Sequence, residues 1–323
     1  MYTQTEQTLD LSGGPDEPPV GDLADIDVDI PRWRRMRATF MAMPIVVKAS
    51  TLWLIFVFGG AIYAKIDNLL GQALPLQDPF YQGSLFGEAS RLESPSTSHL
   101  LGTDNLSRDI FARVMHGGWV SLTVALAAVF TGIVIGGLLG SYAGYVKGKR
   151  GTVIMSMIDV ILAFPALVLL LAIVSVWENR SLTVIAVTIA LLSIPPYTRV
   201  ARATSLAISK REFVTAAQAI GTKPTSILFR EIIPNVLPIL MAYALVAAGA
   251  IIVIEGSLSF LGLSVPPPQA SWGNMINEAR ADIRLTIMPA VWPALALTLT
   301  VLALNQVGDW MQRRAGGRAS SLS

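Results

Sequence analysis

Apolar and polar stretches alternate six times along the chain, and the apolar ones are long. Residues 45–64, 119–146, 153–176, 181–197, 232–254 and 285–307 are each predicted to form a membrane-spanning helix. Roughly 20 apolar residues at a helical rise cross the hydrocarbon core. The expected fold class is therefore an all-α polytopic membrane protein with six transmembrane helices. In the second span Gly132, Gly136, Gly140 and Gly144 recur at i+4 and lie on one stripe. Small residues in register let another helix approach closely, and association in lipid depends on such packing. Pro165 predicts a kink in the third span, Pro195-Pro196 the end of the fourth, and Pro234 and Pro238 a bend at the start of the fifth.

Polar residues inside these spans are few. Asp159 falls within the third, where a carboxylate at mid-membrane costs about 2.5–3.5 kcal/mol and is expected to face protein or water. Substrate contact and a structural hydrogen bond both remain open for it. Glu255, just past the fifth span, and Asn305, within the sixth, are further candidates for pathway or structural polar groups.

The polar segments have their own pattern. Residues 1–31 hold eight acidic residues and no Lys or Arg, so they bury too little apolar surface to order and read as a disordered tail. Arg32, Arg34, Arg35 and Arg37 flank Trp33 as an interfacial anchor before the first span, which with it makes up residues 32–64. Residues 65–117 form a long loop in which residues 105–116 are predicted to be a short amphipathic helix. A core of five further spans follows over residues 118–312, and residues 313–323 are a basic tail. A second long connection, residues 255–284, contains Pro266-Pro267-Pro268.

Residues 209–235 form a polar interruption with helical grammar. Ser209 and Glu212 stand in the S-x-x-E spacing of a capping box. Phe213, Ala216, Ala217 and Ile220 then recur at i, i+3, i+4 and i+7 as one narrow apolar face. Gly221 follows as a left-handed C′ residue, and Pro224 opens the next helix. A short helix, a sharp corner and a new helix result, with a small-residue face that suits a groove on another protein.

Composition supports the membrane reading: 53% of 323 residues are hydrophobic and 14% charged, against about 25% charged in soluble domains. Seventeen of the 24 Lys and Arg fall on one side when both termini are placed inside, so the termini and residues 209–235 are expected to be cytoplasmic. Cysteine is absent, which excludes disulfides and Cys-ligated metals. His99 and His116 lack metal-ligand spacing and read as structural, so no metal site is expected. The chain has no G-x-x-x-x-G-K-[ST], G-x-S-x-G or H-E-x-x-H. No catalytic residue, no cofactor of its own and no nucleic-acid partner are expected, and transport is the default role.

Four segments carry a resemblance. Ala216, Ala217, Gly221, Ile233, Pro234 and Asn235 resemble the EAA loop of ABC importer permeases, with Thr215 where a Glu often stands. His99–Leu122 is similar to the H-x-LGTD-x-x-GRD-x-x-x-R segment of dipeptide, oligopeptide and nickel permeases, with Ser107 in place of Gly. Residues 255–280 resemble their SLSFLGLG…PP…SWG segment, with Ser264 in place of Gly. Asp159, Phe164 and Pro165 match a D-x-x-x-x-FP pattern. The resemblance implies a type I ABC importer permease fold and a "C-type" membrane subunit in a bacterial plasma membrane. It implies a heterodimer with a homologous second permease, one or two ATP-binding subunits that carry ATP and Mg, and an extracytoplasmic substrate-binding protein. Glu212, Phe213, Thr215, Ala216, Ala217, Ile220 and Gly221 would couple to an ATPase subunit. Dipeptides or oligopeptides are the expected cargo, with nickel, glutathione or opines as alternatives. From another class, an ion-gradient-driven secondary transporter is the rival.

Overall fold

The computed structural model describes residues 43–70, 78–82, 90–146, 148–177 and 180–320. The acidic tail and the basic anchor at residues 32–37 lie outside the described residues. Among those described, the regular structure is helical apart from one isolated bridge, Thr103 to Asp109. Five helices are long and apolar enough to span a membrane: α1 (Ile45–Leu69), α2 (Ile110–Tyr145), α5 (Leu182–Ile208), α7 (Pro224–Phe260) and α9 (Met288–Ser320, apolar enough over Met288–Arg314). A further apolar pair, α3 (Lys149–Leu162) and α4 (Ala166–Ser175), is long enough to span only when taken together, as a broken span or a re-entrant loop, and the two helices meet at 80°. Two short helices, α6 (Glu212–Ala219) and α8 (Trp272–Ala279), sit between spans.

Every span except the broken one runs past the apolar stretch that predicted it, for reasons visible in the packing. No separate helix covers residues 105–116. Residues 105–109 are a turn, and α2 starts at Ile110 and continues through Gly117 and Gly118. Those two glycines are places of close approach: a Cβ on Gly117 would sit 3.3 Å from the Ser271 backbone, and one on Gly118 3.2 Å from the Trp272 ring. Nor does α5 end at Pro195-Pro196; both prolines lie inside the helix. Within a bilayer the freed carbonyls meet no competing water, and neighbouring helices order the chain instead. The continuation of α5 is ordered by the glycine stripe of α2. A Cβ at Gly136 would be 2.7 Å from the Ile194 carbonyl, at Gly140 2.3 Å from that of Thr198, and at Gly144 2.7 Å from that of Arg202. Gly132 meets the Tyr197 ring in the same way, so all four predicted glycines face α5.

Two π-helical turns, Gly132–Gly136 in α2 and Leu228–Ile232 in α7, let these long helices keep their packed faces in register. Pro165 does more than kink the third span. Without an N–H it starts α4 as its N-cap, and α3 stops at Leu162.

Two apolar clusters hold the bundle. The larger joins α1, α2, α4, α5, α7, α8 and α9 and includes Trp272, which is fully buried and donates its Nε1–H to the Val114 carbonyl at 2.9 Å. Truncating a side chain of that size costs about 3–5 kcal/mol in well-packed cores. The smaller joins α5, α6 and α7 through Tyr197, Ala201, Ile208, Val214, Ile227 and Val236.

Candidate functional site

The turn between α5 and α7 is built by backbone rules that the sequence states. Gly221 has φ +79°, the left-handed conformation that a side chain disfavours. The Thr222 N–H donates to the Ala217 carbonyl at 3.1 Å and the Gly221 N–H to that of Gln218 at 3.0 Å. This pair of bonds is a Schellman motif that closes α6. Pro224 then occupies the first turn of α7. The expected capping box does not form. Ser209 still belongs to the end of α5, where its Oγ donates to the Leu206 carbonyl at 3.0 Å, and Arg211 takes the N-cap of α6 with no side-chain bond. The apolar run that ends α5 extends to Ile208, which leaves Ser209 no room to begin a new helix.

Val214, completely buried, is the peg that fixes α6 to Ile208 of α5 and Ile227 of α7. It lies off the expected stripe, and sequence reasoning missed it. On the other side Phe213, Ala216 and Ile220 are exposed, Ile220 by 83%, while Ala217 is partly covered. Glu212 is exposed in the first turn, where its charge favours the helix N-terminus. The Thr215 Oγ1 donates back to the Arg211 carbonyl at 3.3 Å. The arrangement is a short, rigidly cornered helix with an apolar, solvent-facing side.

The opposite end of the bundle carries a buried ionic cluster. Asp104 accepts the Leu106 and Arg108 N–H groups at 2.9 and 3.0 Å and the Arg108 Nε–H at 2.7 Å, and it pairs with Arg113. Glu278 of α8 accepts from Arg108 at 2.6 Å and from Arg113 at 2.9 Å. Asp109 caps α2 through the Ala112 N–H at 2.7 Å and holds His99 Nδ1 at 3.0 Å. The D-x-x-SRD-x-x-x-R motif thus reads as the scaffold that clamps residues 99–113 onto α8. His116 Nδ1 lies 2.9 Å from the Ala112 carbonyl, so both histidines have local structural partners.

The three polar residues singled out within or beside spans are held by three different sets of partners. Glu255 is completely buried and accepts hydroxyl bonds from Ser121 of α2 at 2.8 Å, Ser259 at 2.7 Å and Ser264 at 3.2 Å. Ser259 in turn meets Ser271, the N-cap of α8, at 2.9 Å. Asn305 lies against Gly249, where a Cβ would stand 3.2 Å from its Oδ1, at the contact of α7 with α9. Asp159 Oδ1 accepts from Arg199 Nη2 of α5 at 2.6 Å. Arg199, Ser121 and Glu278 escaped sequence reasoning because each lies tens of residues or more from its partner. Among the described residues no group of His, Asp and Glu is arranged to hold a metal ion.

Residues 132–320 match the family model described as "Binding-protein-dependent transport system inner membrane component". Similar proteins include the glutathione transport system permease protein GsiD of Pectobacterium atrosepticum, 34% identical over 281 residues that cover 87% of this chain and 89% of that protein. GsiD of Escherichia coli O6:K15:H31 is 38% identical over 280 residues, 87% of each chain. GsiD of Shigella boydii matches to the same extent.

Proposed function

The chain belongs to the inner membrane components of binding-protein-dependent transport systems, as an ABC importer permease of the dipeptide, oligopeptide and nickel family, and on that footing we propose that it forms half of a solute pathway which a partner ATPase opens and closes through α6. The observation that carries the reading is the cornered helix itself. Its far side is pegged by Val214, and its free side offers Phe213, Ala216 and Ile220 to a groove. A helix so fixed moves with α5 and α7 as one lever. A push on it biases the two packings of the bundle, which is all that coupling requires. The chain itself carries out no catalysis; ATP and Mg bind the partner subunits. Both termini and α6 face the cytoplasm, in keeping with the excess of Lys and Arg on that side. A second, homologous permease completes the pathway, and an extracytoplasmic binding protein meets the end that carries α8.

Glutathione stands ahead of the di- and oligopeptides that the motifs alone favour, because the relatives named above are glutathione permeases. It is itself a small peptide-like solute with one ammonium and two carboxylate groups. The test is uptake of labelled glutathione by proteoliposomes holding the complete importer. Uptake that needs both ATP and the binding protein supports the reading. Uptake by this chain alone, driven by an ion gradient, overturns it.

A further inference from the structure

Asp159 and Arg199 stand on the exposed side of the chain at the middle of the membrane. Asp159 lies about ten residues past Lys149 on α3, and Arg199 about nine before the end of α5. At 1.5 Å per residue Asp159 is about 15 Å from Lys149, half the roughly 30 Å hydrocarbon core, and the ion pair holds the Arg199 guanidinium beside it. The two groups bond each other at 2.6 Å, yet 53% of the Arg199 side chain and 56% of the Asp159 side chain stay exposed. Charges at that depth face protein or water rather than lipid.

Two independent features favour water. Thr152, Ser156 and Asp159, at i, i+4 and i+7, make a polar stripe on one face of an otherwise apolar helix, and all three are exposed. A few residues beyond Asp159 the span breaks, with α4 turned 80° from α3. Non-helical backbone at membrane depth survives only against protein or a water-filled cavity. Broken helices near the midplane are where transporters commonly hold their solutes.

We propose that Asp159 and Arg199 line the pathway at the membrane midplane and recognise a zwitterionic peptide cargo by exchanging their mutual ion pair for pairs with its ammonium and carboxylate groups. The proposal rests on the importer reading above. One anion and one cation side by side match the ammonium and one carboxylate of such a solute, and the guanidinium offers a carboxylate two parallel N–H donors. With no solute present the pair closes on itself, so neither charge is left bare between transport cycles.

The absence of cysteine makes the test direct. Thr152→Cys or Ser156→Cys places a single thiol in this chain, to be labelled by a charged, membrane-impermeant methanethiosulfonate in membranes holding the whole importer. Both should label at least tenfold faster than Ile55→Cys, a control exposed on the apolar surface of α1. S-methylglutathione, which has no thiol, should slow the labelling in the presence of ATP and the binding protein. In uptake, Asp159→Asn and Arg199→Gln should each raise KM at least tenfold. The exchanged pair, D159R with R199D, should restore the amount of protein in the membrane but not the uptake. Labelling no faster than the Ile55 control overturns the proposal, and so does full recovery of uptake by the exchanged pair, which would reduce the two residues to a structural bridge. If the wild-type importer takes up no glutathione, the cargo reading fails separately, and labelling alone decides whether this face of α3 is aqueous.

Discussion

Ser107 has φ +59° and a buried hydroxyl with no hydrogen-bond partner among the described residues. The resembling permeases usually have Gly there, and the structure gives the reason: the turn that lets Asp104 hold Arg108 needs a left-handed residue. An L side chain in that region costs roughly 1–2 kcal/mol, partly offset by the greater freedom that glycine has when unfolded. Ser107→Gly is therefore expected to stabilise the protein by about 1 kcal/mol, seen as a higher unfolding temperature in detergent; an unchanged or lower Tm would contradict this. Ser264, the other departure from Gly, has acquired a use, since its hydroxyl donates to the buried Glu255. Glu255→Leu would strand the hydroxyls of Ser121 and Ser264, at about 1–3 kcal/mol for each one left unsatisfied, and would leave Ser259 only its bond to Ser271. Glu255→Gln keeps an acceptor and should cost far less. Comparing the yields and Tm of the two variants checks this, and equal losses would count against the hydroxyl cage. The positions of these residues were legible in the sequence as departures from a pattern, but their roles were not, because Ser121 lies 134 residues from the carboxylate it binds.

Among the elements, the second helix and the corner after α6 were the most legible. Spacing of four residues foretold the stripe of Gly132, Gly136, Gly140 and Gly144, and the structure lays all four on α5. The end of α6 followed from Gly221 and Pro224, whose backbone constraints are local. Helix lengths were less legible. Apolar content marks where a helix meets lipid, whereas Tyr197 to Ile208 and Leu228 to Ile232 stay helical because they pack on other helices. For α6 the account predicts a separation of fold from coupling. Gly221→Pro removes the 3.0 Å bond to the Gln218 carbonyl and cannot adopt φ +79°, so the corner is lost. Ala216→Arg changes only an exposed position. Ala216→Arg should leave the amount of protein in the membrane unchanged while uptake falls at least tenfold, with ATP hydrolysis no longer stimulated by solute. Gly221→Pro should lose uptake as well. Uptake and stimulated hydrolysis at wild-type levels in both variants would remove the lever from the mechanism.

For the whole molecule, composition alone indicated a polytopic membrane bundle, and the hydrophobic pattern gave its number of spans if α3 and α4 count as one. The break itself appeared in the sequence only as Pro165, because an 80° turn depends on what fills the corner. Orientation rests on the Lys and Arg distribution, and the function proposed here requires that α6 and the ATPase share a compartment. Cross-linking is the most direct measurement. The chain has no cysteine, so Ala216→Cys places one thiol on the exposed face of α6, and Gln269→Cys places one at the end that carries α8. In membranes holding the complete importer, a short thiol-directed cross-linker should join the ATPase subunit to Ala216→Cys, in a yield that changes with ATP, and should not join it to Gln269→Cys. A cross-link to the ATPase from Gln269→Cys but not from Ala216→Cys would contradict both the orientation and the coupling role of α6.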